Sequence, residues 1–120
     1  MSEARILVVD DEYLIRWTLQ QNLAKEGYEV ILAESGEEAL VKIKEEAPDI
    51  VLLDIKMPGM SGNDFLKYVK DNMKLSVPII AMSGTPWLFE NSSFDAVIAK
   101  PFSKEDLLTV ISQFIQPPQL

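Results

Sequence analysis

The sequence predicts an α/β fold built on an open, doubly wound sheet of five parallel strands. Short apolar runs alternate regularly with amphipathic helical patterns along the chain, which is typical of a parallel sheet with crossover helices. The apolar runs are also continuous, as in residues 51–53, which is typical of strands buried on both faces. The 120 residues, 48% of them apolar, fit one domain covering 1–120.

Runs of aliphatic residues predict the strands, at 4–10, 28–33, 49–54, 77–83 and 95–100. Apolar residues at helical spacing predict helices at 12–27, 35–47, 61–73 and 103–115. Gly27 ends the first helix, and Ser35, followed by acidic residues, begins the second. Residues 115–120 hold two prolines, which cannot continue a helix, so a frayed tail is expected there.

The segment between the fourth and fifth strands departs from the regular pattern. Residues 84–94 occupy the position of a helix, but they are few and contain Pro86 and an Asn-Ser-Ser cluster. We expect a shortened or irregular fourth helix of one to two turns, ahead of the helix at 103–115. Trp87, Leu88 and Phe89 either fold back onto the core or form an exposed patch for a partner.

Composition excludes several classes of function. The formal net charge of −8 argues against direct contact with nucleic acid. Without Cys the chain has no disulfide or thiolate metal site, and without His it has no imidazole base, ligand or phosphohistidine. No apolar stretch is long enough to cross a membrane and no signal peptide is visible, so we expect a cytoplasmic protein without membrane contact.

Polar side chains stand at the ends of four of the five predicted strands. Asp10 and Asp11 end the first strand, Asp54 the third, Ser83 the fourth and Lys100 the fifth. In a flavodoxin-like strand order, 2-1-3-4-5, the first and third strands are neighbours at the point where the winding reverses. We therefore expect these side chains to converge at one edge of the sheet.

This set of residue types is suited to phosphoryl transfer. Three carboxylates repel one another unless a cation joins them, and oxygen-only ligands suit Mg²⁺ or Mn²⁺. Lys100 and Ser83 could bind a phosphate, and the carboxylate of Asp54 could accept a phosphoryl group. Taken singly, Asp54 fits an ordinary turn as well as a site, and the other residues are more typical of a turn, a helix cap or a solvated strand end, but their joint placement favours a site.

At these residues the chain resembles the response regulator receiver domains of bacterial two-component signalling. The resemblance covers residues 4–115 and is carried by LVVDDE (7–12), DIVLLDIKMPGMSG (49–62), IIAMSG (79–84) and IAKPF (98–102). Residues 15–30 further resemble receivers of NtrC-type transcription activators. The resemblance implies a module that receives a phosphoryl group from a histidine kinase or histidine phosphotransfer protein and then acts on an output domain or effector.

The resemblance also implies a role for each matching residue. Asp54 would be the phosphoacceptor, and Asp10, Asp11 and the backbone carbonyl of Lys56 would bind the metal with it. Lys100 would pair with the phosphoryl group and Ser83 would be the switch hydroxyl. Lys56 and Thr85 would tune hydrolysis, and the Lys100–Pro101 bond would be cis. Gly59 and Gly62 would permit the turn after Asp54. The residues that would dock the phosphodonor are Leu14, Ile15, Thr18, Pro101 and Phe102. Core packing is the competing role for Leu14 and Ile15.

Two departures from the family pattern concern the route of output. Val97 stands where receivers usually have Tyr or Phe, and the span from Ser83 to Lys100 is shorter than usual. A constitutive interaction module that keeps the acidic site without signalling is therefore the alternative function.

A phosphatase or phosphotransferase with an Asp nucleophile is a third possibility. Such enzymes commonly carry a second acid two residues after the nucleophile, where this chain has Lys56. We therefore expect a protein that assists only its own phosphorylation and dephosphorylation, and no enzyme acting on other substrates.

Overall fold

The structure, a computed structural model, describes residues 4–89 and 93–116. Its strands are β1 (Arg5–Val9), β2 (Glu29–Ala33), β3 (Ile50–Asp54), β4 (Ile79–Ser83) and β5 (Ala96–Ala99). Its α-helices are α1 (Tyr13–Lys25), α2 (Gly36–Glu46), α3 (Gly62–Lys67) and α4 (Lys104–Ser112). A π-helical segment (Tyr68–Asn72) follows α3, and a 3-10 turn (Pro86–Phe89) lies between β4 and β5.

The five strands form one parallel sheet in the order β2-β1-β3-β4-β5. This confirms the predicted fold class and strand order. The register pairs Val9 with Leu53, Asp54 with Met82 and Ser83 with Ala99. The carboxyl ends of β1, β3, β4 and β5 therefore finish close to one level, and the residues that follow them share one edge of the sheet.

Two apolar clusters fill the space on the two faces of the sheet. One contains Leu53 of β3 and Phe65 of α3, and the other contains Leu52 of β3 and Leu107 of α4. Neighbouring residues of a strand point to opposite faces of the sheet, and both faces are covered by these clusters. Every residue of β3 and β4 is therefore buried. This explains why their sequences are apolar without alternation. In the described ranges, no helix is long and apolar enough to span a membrane.

Side-chain caps and a glycine set several helix ends. The Ser35 hydroxyl accepts the N–H of Glu38 at 3.1 Å, as predicted, and Ser103 caps α4 in a reciprocal capping box with Asp106. Gly27, with φ of 95°, follows the end of α1. Helix α4 ends at Ser112, earlier than the predicted 115, because the N–H of Phe114 bonds back to Ile111 at 3.0 Å and tightens the last turn.

The predicted helix at 61–73 is correct in place but changes its hydrogen-bond pattern midway. After α3, the N–H of Met73 donates to the carbonyl of Tyr68 at 3.0 Å, a five-residue step in place of the α-helical four. Helical propensity does not distinguish these two patterns. Residues 117–120 of the predicted tail lie outside the described part of the chain.

Among the described residues between β4 and β5 there is one 3-10 turn, Pro86–Phe89, which confirms the expected shortened or irregular fourth helix. Its Trp87 and Leu88 are 63% and 68% exposed, so the alternative in which they fold back onto the core is wrong. The side chain of Phe89 lies outside what the structure describes. Val97 packs partly buried against the core on the α2 and α3 side of the sheet.

Candidate functional site

Three polar side chains are buried in the described part of the molecule, and all three belong to the predicted site. They are Asp10, Asp54 and Ser83, with exposures of 0%, 5% and 4%. Burying an unpaired carboxylate is costly, so a structure retains one only where partners stabilise it. Asp10 follows β1, and the other two are the last residues of β3 and β4.

Lys100 joins the two buried carboxylates. Its Nζ lies 3.3 Å from Oδ1 of Asp54 and 3.5 Å from Oδ2 of Asp10. Lys100 follows β5, two strands away from β3, and only the parallel sheet brings these groups together. The structure thus places an ammonium beside the proposed phosphoacceptor, with one face still reached by solvent since the Lys100 side chain is 26% exposed.

The Asp10 carboxylate is held in an unfavourable environment. Burial raises its pKa from the ordinary value of 3.8, and the negative charge of Asp54 raises it further. The N–H of Glu12, 2.9 Å from Asp10 Oδ1, and the Lys100 ammonium oppose this rise without cancelling it. A cation bound at this carboxylate would offset both the burial of its negative charge and the repulsion from Asp54.

Asp10 also belongs to a cluster of acids that extends from its buried side chain to the surface. Carboxylate oxygens of Asp10, Asp11 and Glu12 lie within 4.8 Å of one another. Asp11 and Glu12 are exposed, so one side of the cluster is open to water. This oxygen-only donor set, open to solvent, fits Mg²⁺, which keeps several waters when bound to protein. The sequence prediction did not include Glu12 among the candidates; its position directly after Asp11 was the available signal.

The turn after Asp54 is shaped by two glycines for different reasons. Gly59 has φ of 81°, in the left-handed region that the prediction required. The prediction was wrong for Gly62, which has no positive φ; a Cβ there would lie 2.9 Å from Cδ1 of Ile55. Close packing, and not backbone conformation, therefore favours glycine at 62. Within this turn, the N–H of Lys56 donates to Oδ1 of Asp54 at 3.2 Å, and the Lys56 side chain is exposed.

The Ser83 hydroxyl is held by the next turn. Its Oγ accepts the N–H of Thr85 at 2.9 Å and lies 3.3 Å from the Thr85 hydroxyl. Thr85 directly precedes the 3-10 turn, and its carbonyl accepts the N–H of Leu88 at 3.0 Å. Ser83 is thereby linked through Thr85 to the turn that exposes Trp87.

The five residues predicted to dock a phosphodonor line one groove, which has a volume of about 470 Å³. They are Leu14, Ile15, Thr18, Pro101 and Phe102, and the groove extends to Lys100. The Lys100–Pro101 bond is cis, as the resemblance implied. Leu14 is 72% exposed, so core packing is the wrong role for it, whereas Ile15 packs partly against the core.

Comparison with known proteins identifies the family. The model of the response regulator receiver domain matches residues 6–112. This chain belongs to the receiver domain family. Receiver domains are the phosphoaccepting modules of two-component signalling, so this is the class of function of the chain.

Curated relatives of this receiver domain include response regulators of different lengths. The alkaline phosphatase synthesis regulator PhoP of Bacillus subtilis is 38% identical over 88% of this chain, which spans only 41% of PhoP. Sporulation initiation phosphotransferase F of the same species is 34% identical, with 96% of each chain covered. The finer resemblance to NtrC-type receivers stays a prediction.

Solved structures agree with the fold. Chemotaxis protein CheY4 of Vibrio cholerae is 29% identical, with a TM-score of 0.85 and coverage of 95% of this chain and 100% of that one. Response regulator TrrA of Thermotoga maritima, solved with Mg²⁺ and BeF, is 35% identical with a TM-score of 0.83, and the match covers 93% and 99% of the two chains.

Proposed function

We propose that this receiver domain accepts a phosphoryl group on Asp54 in a Mg²⁺-dependent reaction and uses the added charge to switch its interactions. The observation that carries the proposal is the position of the Lys100 Nζ between the carboxylates of Asp54 and Asp10, at 3.3 and 3.5 Å. A buried acid beside an ammonium and an acidic cluster is an arrangement suited to phosphoryl transfer, in which positioning and charge neutralisation supply most of the catalysis.

The metal would be bound by Asp10, Asp11, Asp54 and the backbone carbonyl of Lys56, with Glu12 beside them. When bound, Mg²⁺ supplies positive charge that shields the acceptor from the incoming phosphoryl oxygens. The carboxylates of this chain orient the ion, and the burial of Asp10 and Asp54 keeps most of the solvent from the acceptor.

In the reaction, an Asp54 oxygen attacks the phosphorus of a phosphohistidine. The bond from phosphorus to the imidazole nitrogen breaks, and its electron pair leaves with the imidazole. The product on this chain is an acyl phosphate. Lys100, already within ion-pair distance of Asp54, neutralises charge on the transferred group. Because this chain contains no His, it carries no phosphohistidine of its own, and the donor would be a histidine kinase or a histidine phosphotransfer protein.

The switch would begin at Ser83. A phosphoryl group on Asp54 presents three strong acceptor oxygens, and the Ser83 hydroxyl can donate to one of them. Turning toward the phosphoryl group strains the contact with the Thr85 N–H, at 2.9 Å, and so shifts the 3-10 turn carrying Trp87. Lys56 and Thr85, beside the acceptor and the switch hydroxyl, would tune hydrolysis. An output domain or effector protein would read the change.

The domain would assist its own phosphorylation and dephosphorylation and would not act on other substrates. It would work in the cytoplasm as a single receiver domain over 1–120, without contacting nucleic acid or membrane itself. The acidic composition, with 19 Asp and Glu against 11 Lys and Arg, supports the absence of nucleic acid contact.

Two features favour the second candidate, a constitutive interaction module. Val97 replaces the aromatic residue usual in receivers, and the described residues between β4 and β5 form one 3-10 turn where a longer helix is usual. In this case Trp87 and Leu88, both exposed, would bind a partner irrespective of phosphorylation.

Intact-mass measurement with acetyl phosphate tests the phosphorylation. The wild-type domain is expected to gain one phosphoryl group with Mg²⁺ and none with a chelator in excess. Beryllofluoride with Mg²⁺ should then change the fluorescence of Trp87, with Trp17 removed by a Phe substitution so that one indole reports. Failure to form the adduct with Mg²⁺ contradicts the proposal. An adduct without change in fluorescence or hydrodynamic radius supports the constitutive module.

The docking groove gives a second prediction. Substitution Leu14→Ala should slow phosphotransfer from a histidine phosphotransfer protein active on the wild type by about tenfold, since an exposed apolar anchor is lost. The rate with acetyl phosphate should not change, because a small donor needs no docking surface. Rates are followed by loss of label from the donor protein. Val41→Ala, at an exposed apolar residue of α2, is the matched control and should leave both rates unchanged.

A further inference from the structure

Arg16 makes a set of contacts at the acidic site that the proposed reaction does not use. Its Nη1 donates to the backbone carbonyl of Asp10 at 2.8 Å, and its Nη2 lies 3.7 Å from Oε2 of Glu34. The guanidinium also lies over the ring of Tyr13, 5.9 Å from its centroid. With its side chain only 13% exposed, Arg16 is held on three sides.

These contacts fix the backbone between two proposed metal ligands. The N–H of Asp10 donates to the carbonyl of Ala33 in β2 at 3.1 Å, at the point where β1 leaves the sheet. The carbonyl of Asp10 belongs to the peptide group that joins Asp10 to Asp11, and Arg16 binds it. Asp10 is thus held at its N–H by β2 and at its carbonyl by Arg16. The same peptide group leads to the Cα of Asp11, so fixing it sets the point from which the exposed side chain of Asp11 leaves the backbone.

We propose that Arg16 is a positioning residue for the divalent cation: by binding the Asp10 carbonyl, it orients the carboxylate of Asp11 toward the ion. The inference rests on the metal site of the proposed function. Outer partners that orient metal ligands typically contribute about 10- to 100-fold to affinity. In the described part of the chain, Arg16 binds the backbone carbonyl of Asp10 and not the carboxylate of Asp10 or Asp11, so it acts through the backbone.

The direction in which Mg²⁺ affinity changes when Arg16 is replaced distinguishes a positioning role from simple charge repulsion. A guanidinium near the site repels a cation, so removal of its charge alone would tighten Mg²⁺ binding. Loss of positioning weakens binding instead. Substitution Arg16→Ala is therefore expected to raise the Kd for Mg²⁺ by about tenfold. Arg16→Lys keeps the charge and one donor group, and should recover part of the affinity.

Arg5 offers a matched control at the opposite edge of the sheet. It likewise binds a backbone carbonyl, that of Glu46 at 2.6 Å, and a carboxylate, that of Glu29 at 3.0 Å. Arg5→Ala removes equivalent contacts far from the acidic cluster. It should therefore lower the melting temperature to a similar extent while leaving the Kd for Mg²⁺ within about twofold.

The experiment is isothermal titration of Mg²⁺ into the wild type, Arg16→Ala, Arg16→Lys and Arg5→Ala, with folding checked by circular dichroism. Weaker binding in Arg16→Ala, partial recovery in Arg16→Lys and unchanged binding in Arg5→Ala support the inference. Equal or tighter binding in Arg16→Ala, or equal weakening in Arg5→Ala, overturns it. If Arg16→Ala does not fold, Arg16→Lys is compared with the wild type instead: weaker Mg²⁺ binding supports the inference, and equal or tighter binding overturns it. A wild type that binds no Mg²⁺ would refute the metal site itself, a failure distinguishable from that of Arg16.

Discussion

Replacement of Asp54 by Asn is expected to abolish the phosphoryl adduct that the wild-type domain forms with acetyl phosphate and Mg²⁺. The amide has the shape of the carboxylate but lacks its negative charge, so it cannot attack phosphorus to form an acyl phosphate. Its oxygen can still accept the N–H of Lys56, which lies 3.2 Å from Asp54 Oδ1. The fold should therefore be kept, and intact mass after a fixed incubation is the measurement.

A second carboxylate provides the control for Asp54. Asp95 also accepts a backbone N–H, that of Ile79 at 2.8 Å, and pairs with a lysine, Lys70 at 3.7 Å, but it precedes β5 at the other edge of the sheet. Asp95→Asn should form the adduct at the wild-type rate. Persistence of the adduct in Asp54→Asn would place the acceptor elsewhere and contradict the proposal.

The convergence of the site could be predicted because it depends on topology. Once the apolar runs are recognised as parallel strands, the residues at the carboxyl ends of β1, β3 and β5 must meet at one edge. The nearness of Lys100 to Asp10 and Asp54 could therefore be predicted, whereas its ion pairs with them, at 3.5 and 3.3 Å, are findings of the structure. The order of the strands in the sheet decides which groups meet there, and the hydrophobic pattern of the sequence indicates that order.

Contacts that depend on side-chain reach could not be predicted in this way. Arg16 lies on the first helix, and the helical pattern does not show that its guanidinium turns back to the carbonyl of Asp10. The role of Gly62 was misjudged for a related reason, because its constraint is the approach of Ile55 and not its own φ. The exposure of Trp87 likewise depends on how one short 3-10 turn leaves the sheet.

Replacement of Asp10 by Asn is expected to stabilise the domain at neutral pH in the absence of Mg²⁺. Burial raises the pKa of Asp10, which means that the folded state binds the proton more tightly than the unfolded state. The resulting stability is present below the unfolded value of 3.8 and is lost as the pH rises through the folded pKa. The ionised form at neutral pH is therefore destabilising, and its removal should raise the free energy of unfolding. Urea denaturation at a series of pH values should show this advantage growing from acid to neutral pH.

With saturating Mg²⁺, the wild type should become more stable than Asp10→Asn. A ligand at about 100 times its Kd stabilises the state that binds it by about 2.7 kcal/mol. Because Asp10→Asn removes a carboxylate of the proposed metal site, its affinity for Mg²⁺ should fall by at least about 100-fold, and it should gain little stability from the ion. Asp11→Asn is the informative control, and it should also weaken Mg²⁺ binding. Because Asp11 is exposed and already hydrated, its replacement should change the stability of the metal-free domain by less than about 0.5 kcal/mol. Equal stabilisation of the wild type and Asp10→Asn by Mg²⁺ would show that the ion binds away from Asp10. Stabilisation of the metal-free domain by Asp11→Asn as large as by Asp10→Asn would show that general charge repulsion, and not burial, is the source of the effect.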